Sequence, residues 1–292
     1  MAGGRRWLWS LVLIIVACSP AGLAAGATGG DPMPSLPLRV ITYNIQHGAD
    51  IRHEVDLNRT AAALAELQPD IAVLQEVDIN WRRSGSVNQP ELLGHLLGLP
   101  YVYFAEALSL SALLNLGQPA QYGLALFSRY PIVHPQTLRL PRGGPLDEPR
   151  VLLSAGIVTP AGVLHVFGTH LTLHVDVRLH QIDALLNATR SVPGPRVLVG
   201  DFNTEPGSSP MAELLAARNL DGDPVWTDAA VALDAAAPTF PSDTPRARID
   251  YVFVSPDLTP ELLDVTVPEV TASDHRPVVV DFRLARPAER PD

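Results

Sequence analysis

Six short polar segments stand out, because each adjoins an apolar run and carries a group able to hold a cation, a water or a proton. They are Asn44 in Thr42-Tyr43-Asn44-Ile45-Gln46-His47-Gly48, Glu76 in Leu74-Gln75-Glu76-Val77-Asp78, and His170 in Gly168-Thr169-His170-Leu171. The others are Asp201 and Asn203 in Gly200-Asp201-Phe202-Asn203, Asp250 in Arg248-Ile249-Asp250-Tyr251, and Asp274 with His275 in Ser273-Asp274-His275-Arg276-Pro277. Glu76 is a hard oxygen ligand suited to Mg²⁺, and Asn44 can add a neutral carbonyl oxygen. Taken singly, most have a plainer reading: Glu76 as a solvent-facing carboxylate, Asn44 as a turn cap, Asp201 and Asn203 as an Asx turn, and Asp274-His275 as a turn before Pro277. Asp250 resists that reading, since it sits between Ile249 and Tyr251 in an apolar run and a buried carboxylate needs a cation or donors. Other hydrolase chemistries fall away: Gly-x-Ser-x-Gly, His-Glu-x-x-His and a Gly-x-x-x-x-Gly-Lys-[Ser/Thr] phosphate loop are all absent.

The elements that must position these groups alternate in type. The pattern predicts a strand over Leu38–Tyr43, a helix over Leu57–Leu67 capped by Asp56 and ended by Pro69, and a strand over Ile71–Gln75. Further helices are predicted over Pro90–Leu97, Leu173–Ala188 and Pro210–Ala217. Short β-like runs cover Gly123–Ser128, Val151–Ile157, Val163–Thr169, Arg196–Val199, Ile249–Val254 and Val278–Phe282. Tyr101–Leu116 is apolar without a clear period and receives no assignment; within it Ala105–Leu116 reads either as a helix packed on a sheet or as an exposed membrane or acyl-chain contact. The polar clusters fall at strand ends, where open sheets place ligand-binding groups.

Taken in order, the motifs resemble those of the endonuclease/exonuclease/phosphatase family, which includes neutral sphingomyelinases and phosphoinositide phosphatases, across about Leu38–Leu284. The resemblance implies a DNase I-like four-layer α/β/β/α sandwich of two mixed β-sheets, and hydrolysis of a phosphoester with Mg²⁺, Mn²⁺ or Ca²⁺. Residue by residue, it implies Asn44, Glu76 and Asp274 on the metal side, and Asp201 and Asn203 holding the nucleophile and phosphate. It further implies His275 as the catalytic histidine, Asp250 orienting it, and His170 contacting phosphate. Arg150 in Glu148-Pro149-Arg150, and Arg178 with Gln181, match signals of one subgroup and become candidate phosphate ligands; for Arg178 a surface salt bridge is the alternative. Arg82 and Arg83 read as ordinary loop charges, and His47 has no assigned role. The sequence departs from the family in its long apolar insert after Ala105, and in Leu124 where many members carry Asn.

The composition narrows the partners. The formal charge is −10, and all 21 basic residues are Arg, so a basic stripe for tracking nucleic acid is not expected. Arg5 and Arg6 precede the apolar run Trp7–Val16, and Ile15-Val16-Ala17-Cys18 resembles a bacterial lipobox. The expectation is a lipoprotein signal peptide over 1–17, a lipid on Cys18, a tether over 18–36, one domain over 37–286 and a disordered tail over 287–292. The alternative is simple secretion with cleavage near Ala24. Cys18 is the only cysteine, so an intramolecular disulfide and a folded thiolate nucleophile are both excluded. The expected product is a secreted, lipid-anchored monomer facing the outside or the periplasm and cleaving a small-molecule or lipid phosphodiester. An extracellular nuclease and a catalytically silent binding module are the alternatives.

Overall fold

The computed structural model describes residues 35–115 and 117–285. The expectations for the signal peptide, Cys18, most of the tether and the C-terminal tail lie outside the described residues.

Two six-stranded sheets form the centre. The first holds β1 (Leu36–Asn44), β2 (Ile71–Ile79), β3 (Tyr101–Leu110), β4 (Ala120–Ser128), β11 (Leu262–Thr266) and β12 (Val278–Leu284), in the order β11-β12-β1-β2-β4-β3. The second holds β5 (Ile132–Arg139), β6 (Val151–Thr159), β7 (Gly162–His170), β8 (Arg196–Asp201), β9 (Thr227–Asp228) and β10 (Asp250–Val254), in the order β5-β6-β7-β8-β10-β9. Each sheet contains one parallel pair, β1 with β2 and β7 with β8, and is otherwise antiparallel. A parallel pair needs a crossover, which α1 (Leu57–Glu66) and α3 (Val175–Thr189) supply.

The layers follow from the side chains. Val40, Val73 and Leu126 of the first sheet pack with Leu153, Val166, Val199 and Val252 of the second in one buried cluster. On the outer face of the first sheet, Ile41, Leu74 and Phe127 meet Leu57 and Leu64 of α1 and Leu93 of α2 (Gln89–Leu97). On the outer face of the second, Phe167, Leu198 and Phe253 meet Ile182 and Leu185 of α3 and Met211 and Leu214 of α4 (Ser209–Ala216). A short helix, α5 (Ala229–Ala232), follows β9. This is the expected α/β/β/α sandwich. Asp56 caps α1 by accepting from the Asn58 and Arg59 amides at 2.9 and 3.3 Å, as its position predicts.

The segment from Tyr101 onward is not a helix packed on a sheet. It begins as an edge strand, β3, burying Ala105 and Ala107, and then turns so that Leu113 and Leu114 are 90% and 70% exposed. The alternation is hidden in sequence because an edge strand is apolar on only part of one face. β5 was also missed, since Pro135 interrupts it; the proline falls where the β5–β6 register shifts, on a sheet edge, where a missing N–H costs little. β2 runs four residues beyond its predicted end through a bulge: Gln75 and Glu76 together oppose Leu124 of β4, and Glu76 has φ +59°.

The ends of the described chain meet at one pole. Leu36 pairs with Leu284, while the other ends of β1 and β12 lead to Asn44 and His275. Gly200 makes a close approach possible at that other pole. It has φ +148°, and a Cβ there would lie 2.0 Å from the Thr169 carbonyl oxygen on β7. Gly200→Ala is therefore expected to destabilise the protein by about 2–4 kcal/mol. Urea denaturation measures this, and an unchanged midpoint would show that the strands can separate without cost.

Candidate active site

Strand register alone assembles half of the site. His170 on β7 pairs with Asp201 on β8, and Asp201 pairs with Asp250 on β10, so three polar residues form a row across adjacent strands at one end of the second sheet. All three are buried. Asp201 Oδ2 lies 3.4 Å from His170 Nε2 and 3.7 Å from His275 Nε2, and Asp250 Oδ2 lies 2.9 Å from His275 Nδ1. The Asn203 amide donates to Asp201 Oδ1 at 2.8 Å, with Asn203 at φ +49°.

The first sheet contributes Asn44, at the end of β1, and Glu76 in the bulge. Asn44 Nδ2 donates to both Glu76 Oε1 and Asp201 Oδ2, each at 3.1 Å, and so ties the two sheets together. Its Oδ1 accepts from the Gln46 amide at 3.1 Å. In the metal-free site the side-chain amide thus turns its nitrogen to the two carboxylates.

His275 is held by a loop that sequence reasoning missed. The Ser242 amide donates to the Asp274 carbonyl and the Arg276 amide to the Thr239 carbonyl, both at 2.7 Å. Ser242 Oγ donates to the Ser273 carbonyl at 2.6 Å, and the Phe240 ring centroid is 4.9 Å from that of the imidazole. Thr239 Oγ1 also accepts from the Asp250 amide at 3.3 Å, so one loop registers both members of the Asp250–His275 pair. Ser273 Oγ donates to the Asn44 carbonyl at 2.7 Å and carries this loop onto β1. In sequence, Pro238-Thr239-Phe240-Pro241-Ser242 shows only turn-forming composition.

Burial sets the charges. It pushes the Asp201 carboxyl up to about 7, with the Asp250 charge adding to the effect. For His275, burial opposes the cation, but Asp250 and Asp201 outweigh it and raise the imidazole to about 10. His170 is pushed well below its usual value by burial, with Arg150 and His275 adding, so it is a neutral imidazole and its contact with Asp201 is not an ion pair. Glu76 is raised by burial, opposed by the Asn44 hydrogen bond and reinforced by Asp274.

One group suits a divalent cation. Asp201, Asp250 and His275 form a buried cluster whose ligand atoms lie within 4.8 Å of one another. That cluster holds either a metal or the His275 proton, since a protonated imidazole has no lone pair to give. Glu76 lies in the field of Asp274, and among the described residues neither forms an ion pair with an arginine.

The remaining candidates divide. Arg150 is buried, pairs with Glu148 at 2.8 Å and acts electrostatically on His170, which places it at the cleft. Its Nε is buried without a hydrogen-bond partner. Arg178 donates to the Thr172 and Leu173 carbonyls at 2.8 and 3.0 Å, bracing the loop after β7, and among the described residues forms no salt bridge. Gln181 pins the same loop through the Thr172 amide and reaches the Pro141 carbonyl. Asn203 Nδ2 donates to the Leu171 carbonyl at 2.9 Å. Tyr122, absent from the sequence-derived set, is buried with its hydroxyl beside Glu148 and within the field of Glu76, and burial raises it well above its usual value.

Residues 41–275 match the model of the Endonuclease/Exonuclease/phosphatase family. The chain belongs to this family. No curated protein gives a significant sequence match. Among solved structures, an endonuclease/exonuclease/phosphatase from Beutenbergia cavernae is 27% identical, with a TM-score of 0.68 over 85% of this chain and 72% of that one. A family member from Bacteroides thetaiotaomicron is 18% identical, with a TM-score of 0.67 over 89% and 99% of the two chains. A mannosyl-6-phosphatase from the same organism is 20% identical, with a TM-score of 0.61 over 83% and 98%. With a buried cluster able to hold a metal, family membership makes the chain a metal-dependent phosphoric ester hydrolase.

The Asp250–His275 pair has a signed pH dependence. The folded-state value of about 10 lies above the ordinary 6.5, so the pair's stabilisation is complete below about pH 6.5 and is lost as pH rises through about 10. In the metal-free protein the stability gap between wild type and Asp250→Asn should therefore narrow over that interval; a gap independent of pH would show His275 neutral in the fold. Cation binding favours the ionised carboxylates, and burial raises both Glu76 and Asp201, the latter to about 7, so Mg²⁺ binding near neutral pH should release protons. Calorimetry in buffers of different ionisation enthalpy reads this, and identical apparent enthalpies would contradict it.

Proposed function

We propose that the protein is a divalent-metal-dependent phosphodiesterase of the cell envelope that acts on phospholipid or sphingolipid head groups. The observation that carries the chemistry is the convergence of Asn44 and Glu76 from one sheet with His170, Asp201 and Asp250 from the other around His275.

The convergence supports the following roles. Glu76 and Asp274 would hold the cation, which, when bound, neutralises charge on the non-bridging phosphate oxygens. Asp201, with a proton affinity matched to neutral pH, accepts the proton of the attacking water, and Asn203 orients that water. The His275 imidazolium donates to the phosphate as negative charge grows, and Asp250 keeps its proton in place. His170 and Arg150 add donors. Mg²⁺ is the cation proposed, with Mn²⁺ and Ca²⁺ as alternatives. Cys18 is proposed to carry the lipid anchor of a secreted monomer; among the described residues no helix is long and apolar enough to cross a membrane.

Exposed leucines support the lipid-directed reading. Leu113 and Leu114 after β3, Leu146 between β5 and β6, and Leu173 after β7 are 70–99% exposed, and all lie on loops at the end of the sandwich that carries the site. The loops holding Leu146 and Leu173 meet, with His174 Nε2 3.7 Å from Asp147 Oδ1. A membrane surface is the environment in which such side chains lose contact with water.

A nuclease is the second reading, supported by the family's own description. Against a basic track, Arg83, Arg150 and Arg248 are each bound to a carboxylate and Arg178 to carbonyls. A phosphomonoester substrate is supported by the likeness to a mannosyl-6-phosphatase.

Hydrolysis of bis(p-nitrophenyl) phosphate should require Mg²⁺, and full activity in EDTA would end the metal-dependent reading. Asp201→Ala should retain less than about 10% of kcat in a folded protein. Sphingomyelin, phosphatidylinositol, plasmid DNA, RNA and an inositol phosphate, compared with metal restored, separate the substrate classes; faster release from DNA or RNA would replace the lipid reading by the nuclease one. Leu113→Ser with Leu114→Ser should lower activity on phospholipid vesicles several-fold and spare the soluble diester. Equal loss on both would show that the leucines do not act at a membrane.

A further inference from the structure

Next to Asp250 on β10 stands a hydroxyl that the chemistry above leaves unused. Tyr251 is fully buried, and its hydroxyl oxygen lies 2.8 Å from the Thr204 carbonyl and 2.8 Å from the Arg248 carbonyl. Thr204 follows Asn203 directly and Arg248 precedes Asp250 by two residues, so one side chain joins the turn that carries Asn203 to the strand that carries Asp250. A phenol has a single proton, which the two carbonyls share. Both acceptors belong to buried residues, where a carbonyl left without a donor is costly.

The ring is fixed by its neighbours. Phe202 meets it edge-on, with centroids 5.6 Å apart at 82°, and Phe253 stacks on it at 5.3 Å and 12°. The Arg248 guanidinium lies 4.5 Å from the ring centroid and is itself held by Asp228 at 2.6 Å, in a pair buried on both sides. Asp228 in turn accepts from the Ala230 amide of α5 at 3.1 Å. Packing against these residues makes the hydroxyl a fixed point.

What it fixes is a turn that would otherwise relax. Asn203 has φ +49°, a left-handed conformation that Asn tolerates better than most side chains but that persists only where its neighbours over-determine it. On the side before it, the Phe202 amide donates to the Ile249 carbonyl and the Asn203 amide to Asp201 Oδ1, both at 2.8 Å. On the side after it, Tyr251 holds the Thr204 carbonyl, and Thr204 Oγ1 lies 2.8 Å from Ser208 Oγ. Ser208 makes no side-chain cap to α4, so Thr204 is the partner that its hydroxyl serves. With the backbone so held, Asn203 Nδ2 donates to the Leu171 carbonyl at 2.9 Å.

We infer that Tyr251 and Thr204 are positioning residues, which lock the turn that aims Asn203 at the attacking water and touch no reacting atom themselves. The inference rests on the phosphodiesterase reading and on the role given there to Asn203, and deepens it by naming what keeps that residue in register with Asp250.

Tyr251→Phe keeps the ring and removes the hydroxyl. With Mg²⁺ and bis(p-nitrophenyl) phosphate, kcat should fall about tenfold while KM stays within about twofold, because the substrate is bound as before and only the water is misaligned. A double-mutant cycle separates positioning from general support: in an Asn203→Ala background the same substitution should change kcat by less than about twofold. Ser208→Ala loosens Thr204 from a half-buried position; it should lower kcat about threefold at constant KM, and it covers the case in which Tyr251→Phe fails to fold. Hydrogen exchange gives a readout that does not depend on turnover. The Asn203 amide should exchange at least about tenfold faster in either variant than in wild type, with the Val197 and Leu198 amides of β8 unchanged.

Unchanged kcat in both variants of an active protein overturns the inference. So do losses that multiply through the cycle, or faster exchange spread evenly over β8, either of which would make Tyr251 a support of the whole fold. Absence of hydrolysis by the wild type strikes the phosphodiesterase reading instead, and exchange at Asn203 then decides by itself whether Tyr251 and Thr204 hold the turn.

Discussion

The buried carboxylate of Asp201 is the constraint around which the rest is arranged. An ionised carboxylate removed from water must be met by donors or cations, and this one is met from every side: by the Asn203 amide, by Asn44 from the opposite sheet, and by two imidazoles. No single element of the chain supplies more than a part of that shell. The two sheets must therefore close on each other at this pole for the charge to be tolerated, and the need to solvate Asp201 couples folding to the construction of the site.

The fold meets this need by bringing several chain ends to one place. Two parallel pairs with helical crossovers let β1, β2, β7 and β8 all run toward the same pole, and antiparallel β10 begins there. Local departures from regular geometry then aim the side chains. The bulge turns Glu76 out of the pleat, a left-handed Asn203 lets the chain fold back beneath Asp201, and Gly200 admits the backbone of β7 at a distance no side chain would allow. Hydrophobic pattern places the strands, and these few residues convert a sheet edge into a cleft.

Much of this was legible in sequence, for reasons that differ by residue. The central strands are long apolar runs bounded by turn residues, so β1, β6, β7, β8, β10 and β12 lay close to their predicted limits. The polar residues at their ends were conspicuous because charge directly after a buried run has few explanations. What escaped was carried by weak local signals. β3 and β5 are edge strands with mixed faces, and the bulge that extends β2 has no signature beyond its neighbours on β4. Tyr122 looks in sequence like one more strand aromatic. Arg83 was read as a loop charge because nothing adjacent announces that Asp78, five residues earlier, is fully buried beneath it. Arg178 illustrates the reverse: its type and spacing pointed to a ligand, and the fold uses two of its donors to hold a loop.

Leu36 and Leu284 lie side by side at the pole remote from the cleft. A handle fused directly at Leu36 or Leu284 would leave the domain from the pole away from Asn44 and His275, so a chain trimmed to these residues could be held on a support with the cleft facing solution.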